Sequence, residues 1–427
     1  MRPISAKTAV FVAFCALGPL ACSSNDWDGL MARFGSAEAQ FALGQRAESG
    51  AEGVPDYELA AKWYRKASEY PDAQFALSQL IARNRVEPTR DGEFMALLRA
   101  SASQEHTLAQ VALGERLLQS GPQHAAEAFD WLDRAAGSGN RDAQFHLGLR
   151  FLQGTGVAAD PVEAARWLRL AAEQDHAIAQ RLLGEAYAQG RGVDADPVQS
   201  ADWYRAAAEQ GDVIAQVELA LRYAIGSGVA VDYAEAARWF ERAAEQGDVE
   251  AQLSLAVLYQ EGQGVAKDLA EAVMWYTRAA EVDDPVAANR LGRIYLEGLG
   301  VVPDAAKSIE WYRRAAEQDY VPAQLNLGAL YAEGRAVEKD DARAMEWFRK
   351  AAETGDGLGQ VNLGIGYFKG EGVIRDLVAA HMWFTLSDAD GSEQWRETAE
   401  AKLSRVEIEE SQKLVAEWRE AHQFSSS

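Results

Sequence analysis

Apolar residues recur at helical spacing along most of this chain, with polar residues filling the positions between them. Ala143, Leu147 and Phe151 stand at i, i+4 and i+8, which predicts a helix with one apolar face. Gly148 lies beside Leu147 and lets a neighbouring backbone approach closely, at a cost of about 1 kcal/mol relative to alanine. The turn Gly154-Thr155-Gly156-Val157 follows, in which glycine ends the helix in a left-handed conformation and valine turns back toward the core. A second helix is predicted to open at Asp160-Pro161-Val162-Glu163 and to run through Ala164, Trp167, Ala171 and Ala172. Aspartate is a favoured N-cap, proline suits the first helical position, and Glu163 would complete a capping box.

This two-helix unit repeats. An Ala-Gln pair recurs every 36 residues, at Ala143-Gln144, Ala179-Gln180, Ala215-Gln216, Ala251-Gln252 and Ala323-Gln324, with Ala287-Ala288 as a variant. Earlier copies are Ala39-Gln40, Ala73-Gln74 and Ala109-Gln110, and Gly359-Gln360 is the last, which makes ten units. Tryptophan keeps the same step at positions 131, 167, 203, 239, 275, 311, 347 and 383, preceded by Trp63, with Leu98 as the equivalent in the second unit. One residue spread along an axis in this way reads as core, not as an aromatic cage. The recurrent glutamines are read as bonding to neighbouring repeats in preference to a bound peptide backbone. A fixed period of this size predicts an all-α array of about ten antiparallel helix pairs.

Composition narrows the function. The chain has 427 residues, 42 basic against 65 acidic, for a net charge of -23. That surface repels nucleic acid and anionic headgroups, so no nucleic-acid partner is expected. Both cysteines fall in the first 22 residues, which leaves the body without a disulfide framework or thiolate metal site. Arg2 and Lys7 precede an apolar run from Val10 to Leu20, which reads as a signal peptide over residues 1–21.

The unit Ala-Gln-x-x-Leu-Gly-x-x-Tyr-x-x-Gly-x-Gly-Val-x-x-Asp, then Ala-x-x-Trp and Ala-Ala-Glu-x-Gly, resembles the Sel-one-like repeat, a relative of the tetratricopeptide repeat. The resemblance covers about residues 31–390 and is explicit in Leu255, Tyr259, Gly262, Gly264, Val265, Asp268 and Trp275. It implies a right-handed superhelical solenoid whose first helices line a groove used for protein or peptide partners. The groove candidates are the variable residues after each Ala-Gln: Phe145, His146, Arg181, Glu218, Ser254, Arg290 and Asn326. Ala21-Cys22 resembles the lipobox of bacterial lipoproteins, with Cys22 as the lipidation site, although Pro19 stands where that family has leucine. Plain signal cleavage after Ser23 is the alternative. Residues 22–30 then read as a short tether and residues 391–427 as a C-terminal helical cap, with Trp395, Leu403, Ile408, Leu414 and Trp418 on its apolar faces.

Catalysis is not expected. No Gly-x-Ser-x-Gly and no Cys-His pair is present. The six histidines, at 106, 124, 146, 176, 381 and 422, lack metal-ligand spacing, so neither a metal nor a cofactor is expected. The Gly-x-Gly turns lack the strand and the Gly-Lys-Ser/Thr ending of a phosphate loop. The expectation is a non-catalytic interaction scaffold or adaptor in the bacterial cell envelope, lipid-anchored or soluble in the periplasm. The alternatives are a structural or regulatory lipoprotein on the cell wall and a β-lactamase-like or cell-wall hydrolase.

Overall fold

A computed structural model describes residues 24–51 and 53–423, so the signal segment and Cys22 lie outside the described residues. The described residues form helices and turns, with no strand among them. They fall into two compact units that divide between Gln210 and Gly211. The first holds five helix pairs: Ala37–Ser49 with Tyr57–Lys66, Pro71–Ala82 with Glu93–Ser103, Thr107–Gln119 with Ala125–Gly137, Arg141–Gln153 with Pro161–Ala172, and Ala177–Gln189 with Pro197–Glu209. The second holds five more: Val213–Ile225 with Tyr233–Glu245, Val249–Glu261 with Leu269–Glu281, Pro285–Glu297 with Ala305–Ala316, Val321–Glu333 with Asp341–Glu353, and Gly357–Lys369 with Leu377–Leu386. Ser392–Glu400 and Arg405–Gln423 then pack against Leu377–Leu386, where Trp395 stacks on Phe384 at 5.8 Å. Where the sequence suggests a tether, Ser24–Arg33 is a helix. Gln40 Nε2 donates to the Ala32 carbonyl at 3.1 Å and Arg46 pairs with Asp28 at 3.2 Å, so this helix stands in for a preceding second helix.

The second helices are capped as the sequence predicts, but closed differently. Asp160 accepts from the amides of Val162 at 2.9 Å and Glu163 at 3.2 Å. The return bond of a capping box is not made. The Asp160 amide donates instead to the Phe151 carbonyl at 2.9 Å, in the last turn of the first helix, and Glu163 pairs with Arg166 at 2.9 Å. One bond thus satisfies an orphan donor and an orphan acceptor at two helix ends. Asp304, Asp340 and Asp376, which have no glutamate partner, close the same way on the carbonyls of Tyr295, Tyr331 and Tyr367.

The core lies one residue past the tryptophans. Leu132, Leu168, Tyr204, Phe240, Tyr276, Tyr312, Phe348 and Phe384 are buried, flanked by alanines such as Ala164, Ala171 and Ala172. Trp239 and Trp275 are buried, but Trp63, Trp131, Trp167, Trp203, Trp311, Trp347 and Trp383 are only half-buried. One residue along a helix is a rotation of about 100°, which carries the indole off the inward face and onto the flank. There a basic residue three positions on covers the ring, as Arg134 covers Trp131 at 4.8 Å and Lys350 covers Trp347 at 4.4 Å. Leu98 is fully buried and aligns with Leu168, so Leu97 holds the tryptophan position in the second unit. The inward residue packs on the mid-helix glycine: a Cβ at Gly148 would meet Leu168 Cγ at 2.7 Å.

The recurrent glutamines are buried and bond to neighbouring helices. Gln180 Nε2 donates to the Ala172 carbonyl at 3.0 Å, and Gln252, Gln324 and Gln360 donate to the carbonyls of Ala244, Ala316 and Ala352. Each acceptor lies in the last turn of the preceding second helix. The glutamine oxygen accepts from a further glutamine thirty residues on, as Gln174 donates to Gln144 at 2.8 Å and Gln246 to Gln216 at 2.8 Å. Where that residue is Val282, Thr354 or Asp390, the oxygens of Gln252, Gln324 and Gln360 are buried without a donor. Val282 is 63% exposed, so Val282→Gln should supply the missing donor and stabilise the second unit by about 1 kcal/mol. Chemical unfolding checks this; no gain would mean that Gln252 Oε1 is not in need of a partner.

Candidate functional site

With the repeating residues committed to packing, turns and caps, the variable ones gather on the first helices. Clefts open between first helices of successive repeats, lined by the second residue after each Ala-Gln pair and the residues three and seven beyond it. In the first unit, Leu149, Gln153, Leu182, Glu185 and Gln189 line a cleft of about 300 Å³. In the second unit, Ala329, Glu333, Asn362, Ile365 and Met345 line one of about 190 Å³. A third, of about 340 Å³, holds Asn289, Arg290, Arg293, Asn326, Glu333 and Arg335.

The predicted groove residues separate into two helical positions. His146, Glu218, Ser254, Arg290 and Asn326 share the cleft-lining position, whereas Phe145 and Arg181 stand one residue earlier. Arg290 and Asn326 are brought together in the third cleft. Asn326 Nδ2 donates to Asn289 Oδ1 at 2.9 Å, which joins the two first helices there. His146 Nε2 lies 2.9 Å from Glu115 Oε1, and Glu218 pairs with Arg222 on its own helix. Ser254 and Arg181 are half-buried and line none of these three clefts. Sequence reading missed Asn289, Arg293 and Arg335. For Arg293 the signal was available in the spacing of three residues beyond the cleft-lining Arg290; Asn289 stands one residue before it and Arg335 in the following turn, where no such spacing points.

Two features could suggest chemistry. Phe145 stacks on His176 at 4.3 Å and stands 5.3 Å from His146, so the two histidines flank one ring. Among the described residues no group of three His, Cys, Asp or Glu side chains is placed to hold a metal. Ser411, His381 and Glu400 form a Ser–His–carboxylate row, with Ser411 Oγ 2.8 Å from His381 Nδ1 and Glu400 at 4.0 Å from Nε2. Ser411 is 0% exposed and His381 4%, so the row is sealed from any substrate. Its place between Leu377–Leu386 and Arg405–Gln423 makes it a tie for the terminal helices.

Burial is the main cause that holds His176 and His381 below the ordinary histidine value of 6.5, with Asp142 and Glu400 opposing it. His176 Nδ1 also accepts from the Ala179 amide at 3.2 Å, as the helix cap. Protonation therefore favours the unfolded chain. The stability these groups contribute is full above about pH 6.5 and is lost as the pH falls below it. Thermal midpoints should drop between about pH 8 and pH 5, and His381→Gln should flatten that slope. Equal slopes in the two proteins would count against it.

The sequence profile of the Sel1 repeat matches residues 37–69, 107–140, 141–176, 177–212, 213–248, 249–284, 285–320, 321–356 and 357–387. Among solved structures, the chain is similar to a protective antigen present in uropathogenic Escherichia coli strains, which displays an SLR fold. The two are 30% identical over 93% of this chain and 95% of that one, with a TM-score of 0.63. A Sel1 repeat protein from Oxalobacter formigenes is 32% identical over 75% of this chain and 93% of its own, with a TM-score of 0.60. No curated protein matches the chain.

Proposed function

This chain belongs to the Sel1 repeat family, whose members are in general non-catalytic protein-interaction scaffolds, and we propose on that basis that its inter-repeat clefts bind a protein or peptide partner in the bacterial cell envelope. The observation that carries the reading is the division of labour on the first helices. Ala-Gln, Leu and Gly face inward and hold the repeats together, while the positions that vary line the clefts. A scaffold needs that separation, because a partner can then be specified without disturbing the fold.

The envelope reading rests on Arg2, Lys7, the apolar run that follows and Cys22, and the description of the E. coli relative as a protective antigen supports it. In this reading residues 1–21 are removed and Cys22 carries the lipid that anchors the chain to a membrane. Among the described residues no helix is long and apolar enough to cross one. The Cys22→Ser protein should therefore fold unchanged and leave the membrane fraction; unaltered fractionation would remove the anchor.

A photocrosslinking residue at Ser254 or Asn362, in the cleft register, should capture a partner in cells. The same residue at Arg238 or Arg343, exposed on second helices, should capture none. Equal capture from both faces, or capture from neither, would sink the cleft reading.

A further inference from the structure

The third cleft departs from its equivalents in charge. The same register that supplies Leu149, Leu182 and Ile365 elsewhere here supplies Arg290, Arg293 and Asn326, and Arg335 joins them from the following turn, at the place Arg191 holds in the first cleft. None of the three arginines has an ion-pair partner among the described residues, and Arg293 Nε is buried without an acceptor. Many arginines elsewhere are paired or stacked, as Arg46 on Asp28, Arg314 on Asp283 and Arg242 over Trp239, and no other of these clefts gathers three without an ion pair. Three such cations around one cleft repel one another, and the carboxylates of Glu297 and Glu333 that line it leave the cations in excess. Arg293 and Arg335 both act on the Tyr312 phenol. Burial raises Tyr312 to about 12, while Glu297 pushes it further up and Arg293 and Arg335 pull it down.

We infer that this cleft anchors a carboxylate side chain of the bound peptide, with Arg290, Arg293 and Arg335 as its donors. The inference rests on the proposed peptide-binding function and names one chemical feature of the ligand. Glu297 and Glu333 also line the cleft, so five formal charges leave one net positive charge. That balance suits a monoanion; a phosphate dianion would face two carboxylates with too few cations. The Asn289–Asn326 bond leaves Asn289 Nδ2 as a donor and Asn326 Oδ1 as an acceptor. A donor and an acceptor side by side match the C=O and N–H of a peptide backbone, whereas a free anion has no use for the acceptor. Guanidinium groups grip carboxylates in a planar, two-bonded fork, which supplies both direction and strength.

The test is selection of a displayed library of random heptapeptides on the full chain. Asp or Glu should be enriched at one fixed position of the recovered peptides. A selected peptide should lose about tenfold or more in affinity for Arg290→Glu and for Arg335→Glu. Both side chains are exposed, so the variants should keep the helical spectrum of the parent. Changing the acidic residue of the peptide to its amide should weaken binding to the parent and not to the variants. Peptides that bind in the clefts without an acidic residue, or that ignore both variants, overturn the carboxylate anchor and leave the scaffold reading standing. A phosphoserine peptide that binds about tenfold tighter than its aspartate counterpart also overturns it. Recovery of no peptide overturns both readings.

Discussion

The Tyr312→Ala protein should lose about 3–5 kcal/mol of stability, the cost of emptying a large buried aromatic site. Tyr312 is 3% exposed, and its ring lies against Gly292, where a Cβ would come within 2.6 Å of Cδ1. Glycine offers no side chain to move into the space, so the cavity should persist. The comparison that decides the point is Trp311→Ala. Tryptophan is the larger residue, yet Trp311 is half-buried on the flank under Arg314, and its loss should cost less. Denaturant unfolding of the two variants ranks them. If Trp311→Ala is the more damaging, the inward position has been assigned to the wrong residue. Because repeat arrays are stabilised by nearest-neighbour terms, hydrogen exchange should speed up first in Pro285–Glu297 and Ala305–Ala316.

Replacing Gly264 with alanine should cost about 2–5 kcal/mol, from two additive sources. Gly264 has φ +72°, where an L side chain costs about 1–2 kcal/mol. A Cβ there would also run into the backbone of Tyr233 and Ala234, at the start of the preceding second helix, an overpacking that costs about 1–3 kcal/mol. Gly262 in the same turn separates the two terms. Its φ is +74°, but a Cβ would come no nearer than 3.0 Å, to Lys267 Cβ in the same turn, so the turn has to give by only a few tenths of an ångström. Gly262→Ala should therefore cost little more than the conformational part. Equal losses for the two variants would show that the turn does not rest on its neighbour. Gly192 and Gly372 hold the equivalent place, against Pro161 and Asp341, so the second glycine of the turn serves contact between repeats.

Some of this was open to sequence reading because it depends on nearest neighbours in the chain. Whether Asp160 caps a helix is decided within three residues, and whether Gly154 ends one is decided within a turn. The period of 36 did the rest, since a repeated local instruction yields a repeated element. The ten helix pairs and the stacking role of the glutamines were therefore legible. The cleft position of Arg290 and Asn326 was named, although neighbouring candidates such as Arg181 fell on another helical row.

Other features needed the assembled fold. Trp167 and Leu168 are adjacent and both apolar, and only the crossing of the two helices selects which one faces Gly148. The Asp160 amide finds its acceptor nine residues back across a turn, which displaces the capping-box bond that local pattern predicts. Gln252 carries the same residue type as Gln216, yet one oxygen is bonded and the other is not, according to what stands thirty residues on. Arg290, Arg293 and Arg335 meet around one cleft because two repeats stack, bringing together positions that lie far apart along the chain. Sequence determined the helices, their ends and their number, because those follow from backbone bonding over a few residues. Tertiary packing decided which faces met and which charges were left without partners, because those depend on distances through space that the period does not encode.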